Sequence, residues 1–384
     1  LKTFINLEVF MKKELVVFVK NKLITLDSVI PILVEMKQKF HVSSLIVVFD
    51  SLTHDQIQKN VVLKDAIDFV GGELYVSNGK INPIIRKINI TISLIRLLLK
   101  FIKGVKILHF GALDVKPLKL FGILFKKNVY LFQSDSFRHT YGKYDQYLGM
   151  SPQYCYPIGK NIVAFNDLMP QLVLFKNKDK KIFNFGETRT RQSWVDYSML
   201  RSNYYFRHYH ANVDISKGYV VYILGYFGDL KQMSSPKSMV DLFKKTICIL
   251  SELNIPVFIK PHVFTDINIV NKAIEGHDKL NISYLHPTVL TSNAVCFICN
   301  GYSTIMADAY SFGITTIEYT DYNTGLLLRS ENKSLGYEYI DYFINNDIAL
   351  FKETITHILF DGYKINNYNG HTGDSSGLLY QLSQ

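Results

Sequence analysis

The chain has few of the residues that build metal centres or disulfide frameworks. Four cysteines stand among 384 residues: Cys155, Cys248, Cys296 and Cys299. The last two form a C-x-x-C inside the apolar run AVCFICN, with no second ligand pair at zinc spacing. They read as core thiols, and a reducing, cytoplasmic compartment is expected. No Asp-x-Asp closes a strand, so no metal is expected. The start LKTFINLEVFMKKELVVFVKNK scatters charges through its apolar part, unlike a secretory leader. Residues 280–307 lack Asp, Glu, Lys and Arg, yet they hold His286, Pro287, Asn293, Asn300 and Gly301. That suits two short buried strands and a turn better than a membrane span. Neither a solenoid repeat nor an aromatic-basic RNA-binding signature is present.

What is present is apolar material and positive charge. Hydrophobic residues make up 48% of the chain, enough for substantial cores, and the length favours two domains over one. Lys and Arg number 43 against 33 Asp and Glu, a net charge of +10. Such an excess suits an anionic partner: nucleic acid, an anionic membrane surface or a phosphorylated substrate. The stretch INPIIRKINITISLIRLLLKFIKG (81–104) reads as a basic amphipathic helix, for burial on a sheet or for peripheral contact with an anionic membrane.

Strand and helix patterns alternate through the first half. ELVVFVK and SSLIVVFD are strands. LDSVIPILVEMKQKF is a helix that Asp27 or Ser28 can cap, and DQIQKNVVLKDAIDFVG is a second. VKILHFG and NVYLFQSD follow as strands. The alternation restarts at GYVVYILGYFG, with strands IPVFIKPH, ISYLHP, AVCFICN and TTIEYT, and STIMADAYSFG as a helix between the last two. The fold class is α/β, two doubly wound Rossmann-like domains facing across a cleft. Their expected spans are 1–213 on the acceptor side and 214–365 on the nucleotide side. Residues 366–384, which include the polar run NNYNGHTGDSSG, read as a flexible tail or crossover, of a kind that can lead into a further fused module.

Ligands of such sheets bind beyond the strands' carboxyl ends. Three stretches of the second domain fall there. VVYILGYFGDLKQ closes with Gly228 and the lone carboxylate of Asp229. FIKPHVF offers Lys260 as a point charge and His262 as a donor. CNGYSTIMADAYSFG ends a strand at Asn300, turns at Gly301, and opens a helix with Ser303 and Thr304, whose free N–H groups and dipole suit a phosphate. An ordinary N-cap explains the same residues. Asp308, one turn further, is a candidate for a ribose hydroxyl. In the first domain, LFQSDSFRHTYGKYD ends a strand at Asp135 with Arg138 and His139 beside it, a candidate base. Glu187, Arg189 and Arg191 in IFNFGETRTRQ are candidates for contact with the acceptor or with a sugar carboxylate.

The order and spacing of VVYILGYFGDLKQM, FIKPH and NGYSTIMADAYSFGITTIEY resemble the second domain of retaining Kdo transferases, which have the GT-B architecture. QSDSFRHTYG is similar to their acidic first-domain stretch. The resemblance implies transfer of Kdo from CMP-Kdo to a glycan or lipid-linked acceptor of the bacterial capsule or O-antigen. It implies Asp229 as nucleophile, Asp135 as base, and Lys260, His262, Ser303 and Thr304 as ligands of the CMP phosphate and sugar carboxylate, without a cofactor. The chain departs from the family at Val263, where a Pro is usual, and at Ser136, where a Gly is usual. Such an enzyme works in the cytoplasm, at or near the inner face of the membrane. Two alternatives stay open. One is an inverting sialyltransferase-like or CDP-polyol transferase relying on Asp135. The other is a basic nucleotide- or nucleic-acid-binding protein, although the cations are dispersed and nucleic acid is not the expected partner.

Overall fold

The computed structural model describes residues 14–19, 23–76, 83–110, 113, 116–132, 158–164, 180–262, 264–360 and 377–384. The first lobe is a seven-stranded sheet ordered β3-β2-β1-β4-β5-β6-β7. Its strands are β1 Glu14–Val19, β2 Ser43–Val48, β3 Glu73–Tyr75, β4 Lys106–His109, β5 Val129–Phe132, β6 Asn161–Ala164 and β7 Lys181–Asn184. The second is six-stranded and ordered β10-β9-β8-β11-β12-β13. It comprises β8 Tyr219–Ile223, β9 Val257–Lys260, β10 Leu280–Ile282, β11 Ala294–Cys299, β12 Thr315–Thr320 and β13 Tyr342–Asn345. Every pairing in both sheets is parallel.

Parallel strands need helical crossovers, which cover both sheet faces, so central strands are apolar throughout. Accordingly β8 (YVVYI) and β11 (AVCFIC) are wholly buried. Cys296 and Cys299, both buried free thiols, belong to cores on opposite faces of β11.

The first lobe's helices are α1 Leu23–Phe40, α2 Ser51–Lys59, α3 Val61–Val70, α4 Pro83–Ile102 and α5 Leu118–Leu124. Then come α6 Gln192–Met199 and α7 Ser202–Tyr209. The second lobe carries α8 Ser238–Ser251, α9 Ile267–Ile274, α10 Pro287–Leu290, α11 Thr304–Ser311, α12 Thr324–Arg329 and α13 Ile348–Phe360, and α14 Leu378–Ser383 ends the chain.

Strands β3, β6, β7 and β13 have no counterpart in the sequence reading, and three further elements differ from it. First, α1 begins at Leu23, so Asp27 and Ser28 lie inside the helix and do not cap it. Second, the single helix expected across DQIQKNVVLKDAIDFVG breaks at Asn60. That residue closes α2, and its side chain accepts a hydrogen bond from Leu63 N at 3.3 Å to open α3. Third, the turn expected after β10 is a helical one, α10, capped by His286.

The lobes share an apolar core. Trp194 of α6 and Phe206 of α7 are buried together with residues of both sheets, and Phe206 packs on Tyr219 and Phe258 of the second sheet. Residues 377–384 are not a loose tail. Leu378, Leu379 and Leu382 are buried, α14 lies against α1, and Lys181 of β7 donates to Gln381 at 2.7 Å.

Candidate functional site

In the second sheet the strand order reverses between β8 and β11, and ligands of open α/β sheets bind outside the carboxyl ends at such a point. The loops after β9, β8 and β11 therefore stand side by side. The first two are laced together: Leu224 N donates to Lys260 O at 3.0 Å, and Thr265 Oγ1 reaches Gly225 O at 3.4 Å. A Cβ at Gly225 would lie 2.7 Å from the terminal methyl of Met239, so the flexible Met239 side chain fills the space beside this glycine.

The loop after β11 opens α11. Ser303 is its N-cap and accepts from Ile305 N at 3.4 Å. Tyr302 N donates to the Tyr322 hydroxyl at 3.2 Å, which donates to Glu318 Oε1 at 2.5 Å. The Ser334 hydroxyl bonds the other carboxylate oxygen. Glu318 is fully buried in β12, and burial pushes its pKa up to about 7 despite these donors. The turn thus rests on a buried acid.

A second group of charges lies between the lobes. Asp27 of α1 is mostly covered, its side chain 18% exposed. Burial raises its pKa to about 6, against the pull of Arg189 and Lys260. Lys260, at the end of β9, donates to Leu285 O at 2.9 Å, and burial lowers its pKa to about 8. His286 Nδ1 accepts from Thr288 N at 3.2 Å, so the neutral ring carries its proton on Nε2, which sits 3.8 Å from Asp27 Oδ1. Burial, with Lys260 and Arg189 nearby, holds His286 well below the ordinary imidazole value. Trp194 stands edge-on to that ring at 5.1 Å and donates to Thr288 Oγ1 at 3.1 Å, fixing both. A carboxyl titrating near 6 beside a neutral imidazole can take or give a proton near neutral pH.

The sequence-selected residues scatter across these surroundings. Lys260, Arg189 and Asp308 join the interlobe group. Ser303, Thr304 and Gly301 form the turn. Asp229 is exposed in the loop after β8, and no described residue bonds its carboxylate. The absence of a Cβ on Gly228 makes room for Tyr226, whose ring atom Cε1 would lie 2.1 Å from one. His262 is exposed, and its Nδ1 accepts from Phe264 N at 3.3 Å. Glu187 is partly buried between β7 and α6. Asp135, Arg138, His139 and the departures at Ser136 and Val263 lie outside the described residues.

Two expectations need correction. The Asn300 side chain is a core strut. It donates to Thr246 Oγ1 at 3.0 Å and Tyr319 O at 2.8 Å and accepts from the Tyr222 hydroxyl, which leaves it turned away from any nucleotide. Arg191 is fully buried over the Phe185 ring and bonds Glu35 of α1 at 2.5 Å, so it does not face an acceptor. The sequence reading gave Asp27 only a capping role and assigned no site role to His286 or Trp194. Their signals were a carboxylate in the helix after β1 and a His-Pro that opens a helix.

No protein-family model matches the chain, and no curated protein sequence does. Solved structures do. The UDP-GlcNAc 2-epimerase of Methanocaldococcus jannaschii in complex with UDP-GlcNAc and UDP aligns with a TM-score of 0.54 at 12% identity, over 97% of this chain and 99% of its own. The S. aureus MnaA–UDP structure gives 0.52 at 12%, over 96% and 97%. The Neisseria meningitidis UDP-GlcNAc 2-epimerase bound to UDP-GlcNAc gives 0.51 at 13%, over 96% and 99%. At these identities the likeness is one of architecture. The chain has the GT-B fold. Both lobes are parallel-sheet α/β units, as the alternating pattern implied.

Proposed function

We propose that the chain is a nucleotide-sugar-dependent glycosyltransferase working in the cleft between its lobes. One observation carries this reading: the loops after β8 and β11 flank the reversal of strand order, and the second opens α11 with Gly301-Tyr302-Ser303-Thr304. Free N–H groups and the positive dipole end suit a phosphate, and Lys260 at the neighbouring strand end adds a cation.

The donor in this proposal is CMP-Kdo, on the strength of the motifs GYFGD, KPH and NGYST. The Asp229 carboxylate attacks the anomeric carbon, the bond to the CMP phosphate breaks, and a glycosyl ester forms. Asp135 takes the proton of an acceptor hydroxyl, whose oxygen then displaces Asp229. Two inversions retain the anomeric configuration. Lys260, His262 and the α11 turn neutralise the departing phosphate.

The interlobe group favours a second reading, a sugar-nucleotide epimerase. Asp27 and His286 are acid–base groups suited to moving a proton at a sugar carbon, and three fold neighbours bind UDP or UDP-GlcNAc. A thermal-shift screen with CMP, UMP, UDP and GDP separates the two. The transferase reading expects stabilisation by CMP above the others, and a Kdo product of retained configuration. Preference for UDP, with turnover of UDP-GlcNAc in the absence of an acceptor, would replace it with the epimerase.

A further inference from the structure

Helix α4 is apolar on two opposite sides. Ser93, Leu97 and Phe101 are buried, with Ile90 and Leu94 packed beside them on the sheet. Ile84, Ile88, Ile92, Ile95, Leu99 and Ile102 form a second stripe at three- and four-residue spacing, each 43–69% exposed. At about 100° per residue the two stripes are centred about 160° apart. One side therefore packs on the sheet and the other faces outward. Phe101 contacts Phe121 and Phe125, so α5 packs beside the buried side of α4, and α5 exposes Leu120, Ile123 and Leu124 of its own. An apolar stripe as continuous as that of α4 is unusual on a soluble face and marks a docking site.

Charge identifies the occupant. Residues 83–128 contain ten Lys and Arg and a single acidic residue, Asp114. Lys87, Arg96 and Lys103, all exposed, flank the stripe along α4 and just beyond its end, whereas Lys100 pairs with Glu14 of β1. A second copy pairing through the same surface would set these cations against their own images, because a twofold interface is self-complementary. An anionic bilayer accepts both features: the isoleucines enter the headgroup boundary and the cations meet the lipid phosphates. Among the described residues no helix is long and apolar enough to cross a membrane, so the contact is lateral.

We infer that the outer face of α4 is a docking surface for an anionic lipid bilayer, which holds the first lobe against the membrane. This goes beyond the proposed activity and does not depend on it. The test is flotation of the full chain with vesicles of phosphatidylcholine alone or with phosphatidylglycerol added. Two triple variants accompany it: Ile88→Ser/Ile95→Ser/Leu99→Ser and Lys87→Gln/Arg96→Gln/Lys103→Gln. All six positions are exposed, so both variants should keep the wild-type melting temperature.

The wild type should float with phosphatidylglycerol vesicles and not with phosphatidylcholine alone, and rising salt should release it. Loss of the three cations should weaken partitioning roughly a hundredfold, and loss of the apolar stripe should abolish it. Wild-type protein left at the bottom of both gradients would overturn the inference. So would equal flotation with both vesicle types, or a dimer in velocity sedimentation that the serine variant dissolves.

Discussion

Arg189 and Asp308 form an ion pair across the two lobes, Nε to Oδ2 at 3.2 Å, with 2% of each side chain exposed. The carboxylate that the sequence offered to a ribose is thus already beside a guanidinium of the first lobe. A nucleotide that bonds Asp308 must share it with Arg189 or displace it. Breaking a buried pair by removing one partner leaves the other charge stranded. Arg189→Met should therefore lower stability by about 3–5 kcal/mol in urea denaturation, and Arg189→Met/Asp308→Leu should recover most of it. Equal losses in the single and double variants would mean that the pair contributes little.

Asp27 makes stability depend on pH. Its pKa rises from 3.8 to about 6 on folding. The native state therefore holds that proton more tightly, and the stability this gives at low pH is lost as pH climbs through about 6. Asp27→Asn does not titrate. The stability difference between wild type and variant should shift against the wild type between pH 4 and 6, by at most about 3 kcal/mol. Lys260 moves the opposite way: its pKa falls to about 8, so its buried charge costs stability below that value and the cost fades above it. Both groups are charged only between about pH 6 and 8. Melting temperatures of wild type and Asp27→Asn across pH 4–9 check this, and a difference that stays flat from pH 4 to 6 would refute it.

Asp229 is exposed and unbonded by any described residue, so Asp229→Asn should leave stability within about 0.5 kcal/mol of wild type. In the transferase reading the variant keeps CMP binding and loses transfer. Intact-protein mass spectrometry with CMP-Kdo should show a one-sugar adduct on the wild type and none on the variant. Retained transfer in Asp229→Asn, with loss in Asp135→Ala, would point to single displacement.

Gly336 fits under the Tyr302 ring, where a Cβ would lie 1.8 Å from Cε2. Gly336→Ala forces that ring aside and with it the turn that opens α11. Overpacking of this kind costs about 1–3 kcal/mol. The variant should remain folded and bind its nucleotide about tenfold more weakly, as misplacement of a binding group predicts. Calorimetric titration reads the change, and unaltered affinity would show that the turn does not depend on Tyr302.

The central strands of both sheets were legible because β8 and β11 are unbroken apolar runs and β1 nearly so, and alternation with helices implies parallel strands; β3, β6, β7 and β13, of three or four residues each, were too short to stand out. The seats of Ser303 and Thr304 followed from the same logic, since a strand that ends at Asn300 puts the next helix start at the sheet edge. The Asn300 side chain was misread because strand ends look alike whether the residue turns toward the cleft or into the core, and here Tyr222 and Thr246 claim it. The site roles of Asp27 and His286 were missed because their importance arises between lobes. Each is an ordinary polar residue in its own segment and becomes unusual only when the other segment removes water from it.

The return of α14 to α1 has a mechanical consequence. The second sheet is joined to the first by two covalent crossings, one through α6 and α7 and one ahead of α14. Cutting the chain at either crossing therefore leaves the two lobes joined through the other.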